Sequence, residues 1–142
     1  MTRETLYQAL FEKLSALNGL VTCSRRLRHF QDVVPSEQPA MFVTQTNQTV
    51  QQVTGMPSVA TLEAQVWIYT NDPDPSHAPA AQINDLLDQI DAALAPPLGP
   101  AYKQTLGGLC EHCWIDGQIE IDEGTLGEQS LARFTIKILT TI

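Results

Sequence analysis

The strongest constraint on the fold is a regular alternation of apolar residues with mostly polar ones in two stretches, 61–69 and 132–139. A strand places successive side chains on opposite faces of its sheet, so this alternation predicts two strands with one buried face each. The residues predicted to face the core are Leu62, Ala64, Val66, Ile68, Ala132, Phe134, Ile136 and Ile138. A second layer must then cover the apolar side of the sheet.

Two stretches with helical spacing can supply that layer. The first follows the helix-starting residues Thr2 and Glu4 and continues to the breaker Asn18-Gly19. The second ends at the proline-rich segment 95–100. The apolar residues that recur at helical spacing are Leu6, Leu10, Phe11, Leu14 and Leu17 in the first, and Ile83, Leu86, Leu87, Ile90 and Leu94 in the second.

Further strands are predicted in the remaining segments. A short one lies within 20–30, another covers 40–46, and the last two cover 109–121 and 129–141. Short turns between neighbouring strands favour antiparallel pairing. The sequence therefore predicts one α+β domain over residues 1–142, a two-layer sandwich. Its mainly antiparallel sheet has about four to five strands, and two helices pack on one face.

Residues 45–52 are polar on both predicted faces of a strand and cannot lie deep in a core. A turn is predicted near Gly55-Met56-Pro57-Ser58. We therefore expect a β-hairpin arm at about 44–60 that projects from the domain.

The charge distribution limits the kinds of partner. The net charge is −8, and Lys103 is the only Lys or Arg between Glu63 and Glu128, which span twelve acidic residues. Binding to nucleic acid through phosphates needs a large basic surface, which this chain lacks. Its sequence also has no apolar run long enough for a membrane span. Separate basic and acidic regions favour attraction between neighbouring copies.

The segment Cys110-Glu111-His112-Cys113 is the one stretch that resembles a metal or redox site. A structural zinc ion needs a second pair of ligands, and Cys23, His29 and His77 are isolated in the sequence. If 109–121 is a strand, Cys110 and Cys113 point to opposite faces. Cys113 then falls on the core face, and Cys110 shares the other face with His112 and Trp114.

Other catalytic patterns are absent from the sequence. No glycine-rich loop stands between a strand and a helix, and no G-x-S-x-G turn presents a serine nucleophile. Acidic pairs such as Asp122-Glu123 are typical of solvated turns. The sequence therefore predicts no catalytic residue, no metal ligand and no cofactor.

Three aromatic residues, Trp67, Tyr69 and Trp114, fall on the face opposite the apolar stripes. Either loops or a helix cover this face, or it forms a subunit interface, where large aromatic residues are enriched. Three arginines, Arg25, Arg26 and Arg28, either lie at a solvated strand end or dock onto an acidic neighbour. The candidate acceptors are Asp116, Glu120, Asp122 and Glu123.

Taken in order, these segments resemble a known family. The segments that carry the resemblance are RRLRHF with DV, EQPAMF, LEAQVWIYTND, INDLLDQIDAAL and QTLGGLCEHCWIDGQIEIDEGTLGEQSLARFTIKIL. Over roughly residues 3–139 the chain is similar to the tail terminator, or tail completion, proteins of long-tailed phages and prophages.

The resemblance implies a virion protein of the neck, made in the bacterial cytoplasm. Such a protein forms a hexameric ring on the head-proximal end of the tail tube, stops tube growth and provides the surface for joining the head. Its partners are other copies of itself, the tail tube protein and a connector or head-closure protein. It is not an enzyme, and genomic DNA passes through its lumen without specific binding.

Three alternatives stay open. The chain could be another neck protein, such as a head-closure or connector component, or a small metal-binding domain centred on Cys110 and Cys113. A monomeric binding module unrelated to phages is a third possibility. An acidic lumen that repels DNA phosphates is a further expectation for a ring.

Overall fold

Both predicted helices are present and lie on the same side of a sheet. The computed structural model describes residues 2–97 and 102–142. Helix α1 covers Arg3–Ser15 and begins where the Thr2 hydroxyl accepts a hydrogen bond from the Thr5 amide at 3.2 Å. Helix α2 covers Ala81–Leu94. Each helix buries one stripe of apolar side chains, as its spacing predicts.

The sheet has five strands in the order β1-β2-β3-β5-β4. All neighbours pair antiparallel except β1 and β2, which are parallel. The strand bounds are Thr22–Ser24 for β1, Ala40–Gln51 for β2, Val59–Asn71 for β3, His112–Leu126 for β4 and Gln129–Thr141 for β5. The prediction of a two-layer α+β sandwich is therefore confirmed.

The main core lies between the helices and one face of the sheet, here called the helix face. Leu10 and Leu14 of α1 and Ile83 and Ile90 of α2 pack there with no exposed surface. All eight strand residues predicted to face the core belong to this cluster. Burial of this apolar surface is the main force that holds the two layers together.

A second, smaller core lies on the opposite face of the sheet. Residues 25–39, here called the covering loop, fold over the start of β2 and the end of β3. They contain two short 3₁₀ turns, Phe30–Asp32 and Pro35–Glu37. Val33 from this loop packs with Ala40, Phe42 and Tyr69.

The short strand predicted within 20–30 is present as β1, which covers three residues. Beyond Ser24 other contacts outweigh the strand pattern. The Arg28 guanidinium contacts both Glu37 carboxylate oxygens at 2.9 Å, and the Tyr69 hydroxyl donates to the Arg28 carbonyl at 2.8 Å. These polar contacts and the burial of Val33 fix the segment as a loop.

Strand β4 begins later and continues further than the predicted 109–121. Two shifts in its register against β5 lie between Asp116 and Glu120 and between Asp122 and Leu126. Gly117 and Gly124 lie within these shifts with φ of +78° and +84°. Glycine adopts this left-handed conformation without strain, so both positions are glycine β-bulges.

The predicted position of Cys110 is wrong. Cys110 precedes β4 and packs against the helix-face core, because the backbone turns between Thr105 and Glu111. Its amide donates to the Thr105 carbonyl at 3.0 Å. Cys113 is fully buried in the same core, as predicted.

Candidate assembly surface

Both edges of the sheet have open stretches. Strand β1 pairs with β2 only from Ala40 to Phe42, so within the described residues no strand lies outside β2 from Val43 to Gln51. We call this stretch the β2 edge. On the other side β4 is the outermost described strand, and its outer side is here called the β4 edge. Unpaired N–H and C=O groups at such edges can pair with another chain.

The β2 edge lacks the side chains that usually protect a sheet edge. The chain has no charged residue between Glu37 and Glu63. Lysine and inward-pointing charges are the common means by which proteins prevent edge pairing, and proline is another. A β-bulge between Gln45 and Gln48 is the one irregularity on the β2 edge.

The segment predicted as an arm comprises the end of β2, the turn at 52–58 and the start of β3. Strand β3 remains paired with β5 throughout, from Val59 opposite Thr141 to Asn71 opposite Gln129. The outer side of β2 and the turn are therefore the exposed parts of the segment. Val53 and Met56 in the turn are 66% and 61% exposed and form an apolar tip.

Two of the three predicted docking arginines are engaged within their own chain. Arg25 forms an ion pair with Glu4 of α1 and lies 5.8 Å from the centre of the Tyr7 ring. Arg28 holds Glu37 in a two-pronged ion pair, which raises the pKa of Arg28 and lowers the pKa of Glu37. Arg28 stabilises the covering loop, and Arg25 attaches the start of that loop to α1.

Arg26 differs from its two neighbours. Its side chain is exposed at the end of β1, and it has no ion pair within the described part of the chain. Its backbone amide donates to the Ser24 hydroxyl at 3.0 Å, which fixes the turn that follows β1. Arg26 is therefore the member of the basic cluster that can meet a partner.

Three of the four predicted acidic acceptors, Glu120, Asp122 and Glu123, lie along the second half of β4. Glu120 forms an ion pair with Arg133 of β5, whose guanidinium lies 5.2 Å from the centre of the Trp67 ring. Glu123 accepts a hydrogen bond from the Ala80 amide at 2.9 Å, which ties β4 to the start of α2. Asp122 Oδ1 is buried without a hydrogen-bond partner in the described residues.

The first half of β4 carries a further polar cluster on the same face of the sheet as Glu120. The Trp114 indole stacks on the His112 ring, with centroids 5.0 Å apart, and donates to Asp116 at 3.2 Å. Lys137 lies 3.0 Å from Asp116 and 3.8 Å from Glu63. The hydrogen bonds from Lys137 and Trp114 lower the pKa of Asp116, so this carboxylate is charged at neutral pH.

The three predicted interface aromatics therefore have different surroundings. Tyr69 is 3% exposed beneath the covering loop, so a loop covers it, as one of the two predicted alternatives requires. Trp67 is partly buried beside Arg133, and its indole N–H has no partner in the described residues. Trp114 is partly exposed near the β4 edge.

The cysteine segment has the geometry of a packed turn. Burial raises the pKa of the Cys110 thiol to about 11 and that of Cys113 to about 12, so both stay protonated at neutral pH. A thiolate is the form that binds zinc or attacks a disulfide. Within residues 2–97 and 102–142, no group of three His, Cys, Asp or Glu side chains is placed to hold a metal ion.

A recess of about 780 Å³ lies between the end of α1 and the start of α2. His77 lines it, but both ring nitrogens face carboxylates. Nδ1 lies 3.0 Å from Asp72 and Nε2 lies 3.3 Å from Asp74. The His77 ring is therefore held by two carboxylates of its own loop.

Sequence reasoning missed Arg133 and the β2 edge. The contacts of Arg133 with Glu120 and Trp67 come from two other strands, so no local sequence pattern indicates them. The lack of charge between Glu37 and Glu63 was the available signal for the β2 edge.

No helix in the described residues is long and apolar enough to cross a bilayer.

The comparisons with known proteins give one informative result. No protein-family model and no curated protein matches the chain. Among solved structures, it is similar to a chain of "Virion of native gene transfer agent (GTA) particle" with a TM-score of 0.56 and 10% sequence identity. The match covers 96% of this chain and 95% of that chain, so the likeness extends to the whole fold.

Proposed function

We propose that this chain is a structural protein of a phage or phage-like virion. Its supporting observation is the fold likeness to a chain of a gene transfer agent virion over nearly the full length of both chains. The finer role that we propose is that of tail terminator. In this role six copies form a ring on the head-proximal end of the tail tube, as the sequence resemblance implies.

The surface features suit a ring. Each contact in a ring joins two different patches, one from each neighbour. The chain has an open, uncharged β2 edge on one side and an open β4 edge, with acidic residues, on the other. The apolar tip with Val53 and Met56 lies at the end of the sheet that is remote from the covering loop. It offers a contact to the tube.

In this role the protein works through its surfaces, without catalytic residues and without a cofactor. Its proposed partners are copies of itself, the tube protein below the ring and a connector or head-closure protein above it. The net charge of −8 suits a lumen that repels DNA phosphates. A ring with all its acidic side chains on the outer wall would contradict that part of the proposal.

The decisive experiment combines mass measurement with imaging. Purified protein is examined by native mass spectrometry, alone and after mixing with tail tubes, and the tubes are then imaged by electron cryomicroscopy. We expect a species of six copies and density for one ring at one tube end. Tubes pre-mixed with the protein should not elongate from that end.

Two outcomes would overturn the finer role. A ring found at the head vertex, apart from the tube, would identify a connector or head-closure component. A protein that stays monomeric, ignores tubes and leaves their length unchanged would overturn the virion role as well.

A further inference from the structure

The strand pairing gives each residue along the edges a level, which is its position along the strand direction. In successive pairings, Thr44 lies opposite Gln65, Gln65 opposite Thr135 and Thr135 opposite Asp116. These four residues form one row that crosses the sheet from β2 to β4. The row that contains Phe42 ends at Glu120, and the row that contains Ala40 ends at Asp122. The row of Thr49 ends at His112.

The directions of the edge strands allow two copies to pair. Strands β2 and β3, β3 and β5, and β5 and β4 are antiparallel in turn, so β4 is antiparallel to β2. A neighbour related by rotation about an axis along the strands keeps the direction of each strand. Its β4 edge would therefore meet the β2 edge in the antiparallel sense, which gives the stronger ladder.

The charges match at the same level. Ser24 pairs with Phe42, so the end of β1 lies in the row of Glu120. Arg26 follows two residues later, with an exposed side chain and no ion pair in the described residues. A neighbour placed side by side, without a shift along the strands, brings its Glu120 and Asp116 towards Arg26. In their own chain these two carboxylates pair with Arg133 and Lys137, so Arg26 would join existing ion pairs. Nearer to the turn at 52–58, the uncharged β2 edge of one copy faces the stretch from His112 to Asp116 of the neighbour.

We propose that the β4 edge of one copy docks on the β1–β2 edge of a second copy in this register. Thr44 then lies beside Asp116 of the neighbour, and Arg26 pairs with the acidic part of β4. The inference rests on the proposed ring and specifies its lateral interface. Three features favour a second copy as the occupant: the free edges are complementary in direction, in charge and in level.

A cysteine pair tests the register. The variant Thr44→Cys with Asp116→Cys places the two thiols on the same face of the sheet, in one row. Within one chain three strand spacings, about 14 Å, separate them, too far for a disulfide. Under a mild oxidant we therefore expect a ladder of covalent oligomers up to the size of the ring on a denaturing gel.

The matched control shifts the register. In Thr49→Cys with Asp116→Cys, the two levels differ by four residues of β4, about 13 Å. This variant should show no more cross-linking than the wild-type chain, which reports the background from the native cysteines. Equal ladders for both pairs, or no ladder from a species of ring mass, would overturn the proposed register.

A charge swap tests the ion pair. We expect Arg26→Glu to raise the dissociation constant of the ring by at least tenfold. Glu120 pairs with Arg133 in its own chain, so the rescue variant combines Arg26→Glu with Glu120→Arg and Arg133→Glu, which keeps that pair with its charges exchanged. We expect this variant to restore most of the affinity. Circular dichroism of each variant separates weak assembly from failed folding. Unchanged assembly of Arg26→Glu, or a rescue variant that folds and stays as weak as the single variant, would refute the pairing.

The outcomes also separate this interface from the proposed function. If the protein caps tubes as a ring but neither the cysteine ladder nor the charge swap behaves as expected, the function stands and the interface is elsewhere. If no ring forms and tubes are ignored, the function fails and the interface fails with it.

Discussion

At the scale of single residues, the buried thiols make stability depend on pH. Both Cys110 and Cys113 have raised pKa values in the folded protein, above the ordinary value of 9.0. The unfolded chain therefore loses these protons first as the pH rises. Their stabilising effect is complete below about pH 8.5 and declines as the pH rises towards the folded values.

We therefore expect the urea midpoint to fall between pH 8.5 and 10.5, and expect Cys113→Ala to show a smaller fall. The comparison between the two chains is necessary because Tyr7 and Tyr69 also have pKa values raised by burial. Equal slopes for the two chains would show that Cys113 does not titrate in this way. The readout is tryptophan fluorescence across a urea series.

Tyr69 provides a second test at this scale. Its hydroxyl donates to the Arg28 carbonyl at 2.8 Å, while its ring is buried beneath the covering loop. We expect Tyr69→Phe to lower the free energy of unfolding by about 1 kcal/mol, because the carbonyl loses its donor. Hydrogen exchange of residues 28–34 should become faster, whereas β5 should be unaffected. Uniform acceleration across the sheet would contradict this local role.

At the scale of elements, α2 illustrates how burial holds the layers together. Ile90 has no exposed surface, whereas Asp91, the next residue, is exposed. We expect Ile90→Ala to lower the free energy of unfolding by about 2–5 kcal/mol through lost apolar contact and a residual cavity. The matched control Asp91→Ala should change it by less than about 0.5 kcal/mol. Urea denaturation measures both, and equal effects would refute the predicted face of α2.

The regular elements were accessible from the sequence because each carries its own periodicity. The stripe from Leu62 to Ile68 and the spacing from Ile83 to Leu94 need no tertiary information. The covering loop could not be predicted in this way. Its shape depends on Glu37 and Tyr69, which hold Arg28 from other positions in the chain. The sequence therefore predicted a short strand within 20–30, but not that it ends at Ser24.

The candidate surface was only partly accessible for the same reason. Arg25, Arg26 and Arg28 look equivalent in the sequence, yet two of them are held by Glu4 and Glu37. Only the fold distinguishes Arg26. Arg26 and Glu120 lie near opposite edges of the sheet, and their similar position along the strands follows from the register of four strand pairs. Composition and spacing cannot supply that register.

At the scale of the whole molecule, charge should influence assembly. If Arg26 meets the acidic end of β4, the interface gains electrostatic attraction that salt screens over about 3 Å at 1 M and about 10 Å at 0.1 M. We expect the population of rings to fall when the salt concentration rises from 0.1 to 1 M at constant protein concentration. Analytical ultracentrifugation measures the change.

The variant Arg26→Gln supplies the control for this salt series. Without the arginine charge, assembly should be weaker at low salt and should depend less on salt concentration. Rings that become more abundant at high salt, in both chains, would indicate an interface held mainly by apolar contact.

The two glycine bulges in β4 have a geometric consequence for an assembly of this kind. Bulges at Gly117 and Gly124 bend and twist the strand, and this strand is one of the two edges that we propose to join copies. The angle between successive copies therefore depends on the local bend of β4. With heterologous contacts, that angle decides whether a closed ring or an open spiral forms. The copy number of the assembly would thus be set in part by two residues that have no side chain.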